Sequence, residues 1–217
     1  MHSLHSNNVK IAELLESIHP LLALDGVDLT DERIRLLDQH VELVREWNHV
    51  VGVVSGSEVE RLWERHVVDS LSLAAVVNRL RFGEGHLVDV GSGGGFPAIP
   101  MKVVLPGLCV ALVERSVRKV GFLRKVIAAL QLTDISVVVG EFPRVALDGA
   151  VGVITARAVE SPERTTPRIL DVLGEGAVFL SQSGLDCGSG YAVERIADRW
   201  TELGLRRGTL DLVRRVG

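Results

Sequence analysis

The stretch LVDVGSGGGFPAIP, residues 87–100, holds the residue types best placed to do chemistry. An apolar run ends around Asp89 and opens into Gly91, Ser92, Gly93, Gly94 and Gly95, with Phe96 and Pro97 leading on. Glycine loses more backbone freedom on ordering than any other residue, so a row of them marks a main chain that must be bare. After the first strand of a parallel sheet, such a row lets backbone N–H groups at a helix N-terminus approach a ligand. Pro97 suits the first helical turn, where a missing N–H costs nothing. An acid at the end of the second strand would take ribose hydroxyls, and Glu114 closes CVALVE about where that acid belongs. Strand, loop, helix and acid together point to a nucleoside cofactor.

The spacing admits two cofactors. Gly93, Gly95 and Ala98 fit the dinucleotide pattern G-x-G-x-x-G/A. Gly91, Gly93 and Gly95, with Asp89 two residues before the first, fit the G-x-G-x-G pattern of S-adenosylmethionine enzymes. A nicotinamide oxidoreductase would also need a proton relay of the Tyr-x-x-x-Lys kind. Tyr191 is the sole tyrosine and has no such partner.

The elements that must position this loop follow from periodicity. VKIAELLESI and DERIRLLDQHVELVREWN carry apolar residues at helical spacing, with Thr30 as N-cap of the second. SEVERLWERHVVDSLSLAAVVNRL reads as a third helix capped by Ser57. The period then changes: HLVDV, CVALVE, ISVVV, GVITA and AVFLS read as strands, with helices predicted near 97–105, 116–131, 160–173 and 190–203. The tail LRRGTLDLVRRV supplies one or two antiparallel strands. Alternation at this spacing predicts an α/β fold, a mainly parallel twisted sheet with helices on both faces. A helical extension over 1–80 would precede a Rossmann-like domain over 81–217, the two forming one compact unit.

The whole chain sets outer bounds. Its 217 residues are 47% apolar and 4% aromatic, with a net charge of -4, so contact with nucleic acid needs a local basic patch. Two cysteines make neither a disulfide framework nor a metal cluster, and no metal is expected. The N-terminal residues show no signal-peptide pattern and no apolar run reaches membrane-spanning length, so a cytoplasmic protein is expected.

The neighbours of the loop choose between the cofactors. GSGGGFPAIP followed by VERSVRKVGFLRKV, preceded by WERHVVDSLSL and followed by ITARAV, resembles the RsmG (GidB) family of 16S rRNA guanine-N7 methyltransferases. The resemblance runs from about Leu36 to the C-terminus and is densest over 61–126 and 151–159. It implies a class I methyltransferase fold, S-adenosyl-L-methionine as donor, and 16S rRNA or the small ribosomal subunit as partner; a monomer is expected. By position it places Gly91 and Phe96 on the methionine and ribose side, Phe142 and Pro143 against the adenine through main chain, and Arg157 at the mouth of the site. The chain departs from the family in three places. WNHVVGVVS replaces the usual W-N-x-x-x-N-L-T, SQSG (181–184) replaces a lysine-glycine pair, and Phe142-Pro143 stands where an Ala-Glu pair is usual.

The loop after the fourth strand, TARAVES, has no Asn/Asp-Pro-Pro-aromatic stretch to hold an exocyclic amine and no cysteine to attack a pyrimidine. Guanine N7 presents an in-plane lone pair and needs neither, so alignment of donor and acceptor suffices. Arg115, Arg118, Lys119, Arg124 and Lys125 crowd one helix, and Arg157, Arg164 and Arg168 follow the fourth strand. A basic helix face is commonly just solvated; Arg157 stands apart because it follows a strand at its ligand-binding end. His66 and Asp69, at i and i+3, suit a brace for the cofactor loop, Asp89 an acceptor for that loop's N–H groups, and Trp47 and Trp63 the core.

Overall fold

The computed structural model describes residues 2–80, 85–157, 162–182, 187–206 and 208–216, apart from the side chains of 2–9 and 162. Among the described residues seven strands form a single sheet in the order β3-β2-β1-β4-β5-β7-β6. They are β1 (His86–Val90), β2 (Val110–Glu114), β3 (Ile135–Val139), β4 (Val151–Ala156), β5 (Val178–Ser181), β6 (Tyr191–Arg195) and β7 (Asp211–Arg215). The pairs among β1 to β5 are parallel, and β7 runs antiparallel to both β5 and β6. The α-helices that accompany them are α1 (His2–Leu24), α2 (Asp31–Val51), α3 (Val68–Leu80), α4 (Ala98–Val104), α5 (Val117–Ala129), α6 (Pro162–Val172) and α7 (Arg199–Glu202).

Period-two alternation in the strands divides the interior. Leu87, Leu112, Val153, Val178 and Leu180 join an apolar cluster with Ile18 of α1, Leu37 and Val41 of α2, Leu71 of α3, Ile99 of α4 and Leu123 of α5. Val88, Val90, Ala111, Val113, Ile154 and Phe179 point the other way, to Ile169 and Leu170 of α6. Helices therefore lie on both faces, with the N-terminal helices part of the thicker layer. Within α3 every residue from Val68 to Val77 is buried, polar ones included, so this helix is interior on all sides rather than a surface addition.

Local chemistry sets both ends of α2. The hydroxyl of Thr30 accepts the Arg33 N–H and opens α2, while Gly52 closes it at φ +63 with its N–H on the Asn48 carbonyl. The third predicted helix is broken: a 3-10 turn (Gly56–Arg61) and a π-type turn (Trp63–Val67) precede α3, and Ser57 lies inside the first turn instead of capping a helix. Trp63 is buried and donates its indole N–H to Asp38 Oδ1 at 2.7 Å, tying that turn to α2. Trp47 is only half-buried, its ring lying under Lys125 Nζ at 4.4 Å.

The helix predicted over 190–203 is a correction. Residues Tyr191–Arg195 form edge strand β6, with Val193 opposite Val213, and only Arg199–Glu202 is helical, capped by Asp198. A long-range partner, β7, decided this segment, and local spacing could not show it.

Candidate cofactor and acceptor site

β1 lies between β2 and β4, so the crevice where the chain reverses its winding opens at the C-terminal end of β1. The glycine loop leaves from that point. Gly91, Gly93 and Gly95 have φ of +73, +54 and +85, which accounts for three of the glycines by backbone need alone. Gly91 is exposed, whereas Gly95 is buried and turns its bare Cα inward. A Cβ there would come within 2.4 Å of Ile99 Cδ1 and 3.4 Å of His40 Nε2.

Two carboxylates hold the loop's surroundings, with roles the sequence reading had apportioned differently. Asp89 is 1% exposed and accepts the Thr155 hydroxyl on Oδ1 at 2.8 Å, joining β1 to β4. Its other oxygen, Oδ2, is buried without a hydrogen-bond partner. Burial pushes the Asp89 carboxyl up to about 7, against the opposing pull of Thr155, Ser92 and Arg157. The loop N–H that was expected to fall to Asp89 goes to Glu114. Glu114, 6% exposed at the end of β2, accepts Gly93 N–H on Oε2 at 3.0 Å and Ser116 N–H on Oε1 at 2.8 Å. Each of its oxygens keeps lone-pair capacity for a hydroxyl.

Main chain from the end of β3 borders the same edge: Gly140 N–H donates to Glu114 O at 3.0 Å. Phe142 follows, buried against Val113 and Ile154, with Pro143 half-buried beside it. Phe96, 8% exposed, leads from the glycine loop into α4 and packs between two histidine contacts. Ring centroids lie 4.6 Å away for His40 and 5.0 Å for His66.

Arg157, just past β4, is not a freely extended side chain. Its Nη1 donates to Asp69 Oδ2 at 2.8 Å, and Nη2 donates to the Arg65 carbonyl at 3.2 Å and to His66 Nδ1. Asp69 is 2% exposed and also takes two contacts from Gln182 Nε2, at 3.0 and 2.9 Å. His66 and Asp69 thus meet on Arg157 rather than on the glycine loop, which His66 touches through its ring contact with Phe96. Gln182 stands in the stretch where the resembled family has lysine-glycine, and it fills that place as a neutral donor to the buried carboxylate. The rest of that stretch (183–184) and residues 158–161 of TARAVES lie outside the described residues.

The first departure from the family pattern also has a structural reading. Gly52 stands where asparagine is usual and is left-handed, a conformation asparagine tolerates best after glycine. Asn48 then fixes the following loop, accepting Val53 and Val54 N–H on Oδ1 and donating to Val54 O at 3.0 Å. Val53 Cβ reaches the glycine loop, 3.3 Å from where a Gly94 Cβ would be.

Sequence reasoning missed His40 and Asn48. His40 carried a signal: it is a polar residue on the buried stripe Leu37, Val41, Val44 of α2. Of the basic residues, Arg118 and Arg124 are exposed on α5, Lys125 covers Trp47, and Arg168 pairs with Glu141. Among the described residues no group of three or more His, Cys, Asp or Glu could hold a metal ion. Among them, too, no helix is long and apolar enough to cross a membrane.

The strand order, the glycine loop at the switch point and the acid ending β2 define a class I methyltransferase fold. The same fold is seen in the crystal structure of the SAH-bound methyltransferase PaMTH1 of Podospora anserina. That match has a TM-score of 0.58 and 11% identity, and it covers 87% of this chain and 89% of the other. A family model, GidB, described as rRNA small subunit methyltransferase G, matches residues 33–190, and the chain belongs to that family. Ribosomal RNA small subunit methyltransferase G of Sorangium cellulosum is 37% identical over 141 residues, 64% of this chain and 59% of the relative. Its namesake from Frankia casuarinae is 36% identical over 163 residues, 73% of this chain and 60% of the relative. The chain thus spans about three fifths of the length of these curated relatives.

Proposed function

We propose that this chain transfers a methyl group from S-adenosylmethionine to N7 of a guanine in 16S rRNA. The observation that carries the reading is the glycine loop of a GidB-family chain, anchored on Glu114 beside the buried, half-partnered carboxylate of Asp89. The residues present fit the cofactor. It carries an ammonium, a sulfonium and a ribose diol; Asp89 Oδ2 lacks a partner, and Glu114 retains acceptor capacity. Asp89, Gly91, Gly93, Gly95 and Phe96 would hold the methionine and ribose side. Glu114 would take the ribose hydroxyls, and the main chain of Phe142 and Pro143 the adenine.

When bound, the cofactor supplies an electrophilic methyl on sulfur. The protein's task is alignment and exclusion of water, which can offset about 7–11 kcal/mol of barrier when the reacting atoms are well placed. No side chain is asked to act as a base, because guanine N7 already offers its lone pair. Arg157 serves on the acceptor side by fixing the π-type turn and α3 against the end of β4. The exposed arginines of α5 would meet phosphates of 16S rRNA or of the small subunit, with the enzyme a cytoplasmic monomer. Residues 1–80 and 81–217 would act as one unit.

Calorimetric titration tests the cofactor. S-adenosylmethionine and S-adenosylhomocysteine bind and NAD does not; the reverse pattern overturns the reading. Mass spectrometry of 16S rRNA from a deletion strain tests the acceptor, one 7-methylguanosine being absent.

A further inference from the structure

The contact between the N-terminal helices and the glycine loop contains a polar group that packing does not require. His40 lies in the middle of α2 with 0% exposure, among Leu37, Val41 and Val44. Its Nε2 is 2.8 Å from the Gly94 carbonyl oxygen. A carbonyl only accepts, so the ring carries its proton on Nε2. That leaves Nδ1 as an acceptor, and it is buried without a partner. An unpaired buried acceptor costs stability, and an apolar side chain of similar volume would avoid that cost. What the histidine adds over an apolar side chain is the bond it makes.

The bond falls on a single peptide unit. The carbonyl of Gly94 is held by His40, and the N–H of the same peptide, at Gly95, donates to Ser92 O at 2.7 Å. The plane of that peptide is therefore fixed from both ends. His40 also occupies the space beside the bare Cα of Gly95 and packs on Phe96. Position 94, position 95 and the ring of Phe96 are all set from one residue of α2.

We propose that His40 is a positioning residue for the cofactor loop: it orients the Gly94–Gly95 peptide and Phe96, so that S-adenosylmethionine affinity depends on the N-terminal helices. This rests on the reading above, that the loop takes the cofactor. Burial holds the His40 imidazole down at about 4, so the ring is neutral and the bond persists throughout the neutral range.

The test compares His40→Phe, His40→Met and His40→Gln in the full chain. Affinity for S-adenosylmethionine is measured by calorimetry, thermal midpoint by circular dichroism, and amide exchange at Gly95 in the ligand-free protein by NMR. His40→Phe and His40→Met keep ring or volume without a donor and bind the cofactor at least tenfold more weakly while folded, with faster exchange at Gly95. His40→Gln can donate from its amide and recovers most of the affinity. In transfer assays KM for the cofactor rises and KM for RNA stays. Wild-type affinity and exchange in folded His40→Phe overturn the proposal. Should that variant not fold, equal affinity in His40→Met and His40→Gln overturns it. A wild-type chain that binds no S-adenosylmethionine instead overturns the cofactor reading, and unchanged Gly95 exchange in the variants then overturns the positioning role as well.

Discussion

The glycine loop is anchored on two sides by different means. On its outer side Glu114 takes the Gly93 N–H and Val113 O takes the N–H groups of Gly91 and Ser92, all from the adjoining strand. On its inner side His40, Val53 and His66 reach it from helices and loops that precede the sheet. The sequence separations are 21 residues for the Glu114 bond and 54 for the His40 bond. The outer anchor belongs to any strand–loop–helix–strand unit of this kind. The inner anchor depends on how α2 packs, and it ties that helix directly to the glycine loop.

The largest effect should come from the inner side. Asp69→Ala removes the buried carboxylate that pairs with Arg157 and should cost about 3–5 kcal/mol. Urea unfolding measures this, and a loss under about 1 kcal/mol would mean that Asp69 does not hold the two layers together. Next comes Gly95→Ala, where the new methyl meets Ile99 at 2.4 Å on a backbone at φ +85. Overpacking and a left-handed alanine together should cost about 2–4 kcal/mol. Gly176→Ala is the control, at φ +79 with nothing within 4 Å, and should cost about 1–2 kcal/mol. Equal losses would show that the inner packing of the loop does not matter.

Asp89 sharpens the comparison through pH. Its folded-state pKa, about 7, lies above the ordinary 3.8, so between those values the native chain holds a proton that the unfolded chain has released. Its stabilising contribution is therefore full below about pH 4 and is lost as pH rises to 7, by up to about 1.4 kcal/mol per unit. Denaturation of wild type and Asp89→Asn across that range isolates the slope, which the variant should lack. A bound cation favours the carboxylate, so S-adenosylmethionine affinity should fall as pH drops below about 7, with a proton released on binding. The smallest effect is expected far from the seam: Thr30→Ala should cost about 1 kcal/mol at the start of α2 and leave cofactor affinity unchanged.

These two anchors also mark what could be read from the sequence. Asp89, the glycines and Glu114 sit at fixed offsets within one strand–loop–helix–strand unit, so spacing alone placed them on one edge. The parallel direction of β1 to β5, though not their order in the sheet, followed from the same alternation. What spacing could not supply was pairing at a distance. Edge strand β6 read as helix because its partner β7 begins only at Asp211. Asp89 was given the loop N–H that Glu114 accepts, since both are acids beside the same glycines and only the register of β1 against β2 distinguishes them. Arg157 was placed at the mouth of the site from its position after β4, but its bonds to Asp69 and Arg65, 88 and 92 residues away, could not be read from spacing.

The central claim is tested most directly by methyl transfer in vitro. The purified chain is incubated with S-adenosylmethionine and small ribosomal subunits from a strain lacking this modification, and the 16S rRNA is then digested and analysed by mass spectrometry. One 7-methylguanosine per 16S rRNA is the predicted result, with none formed by a folded Gly93→Val variant. A methyl group on another atom or another RNA, or no methylated nucleotide from a chain that binds the cofactor, would contradict it.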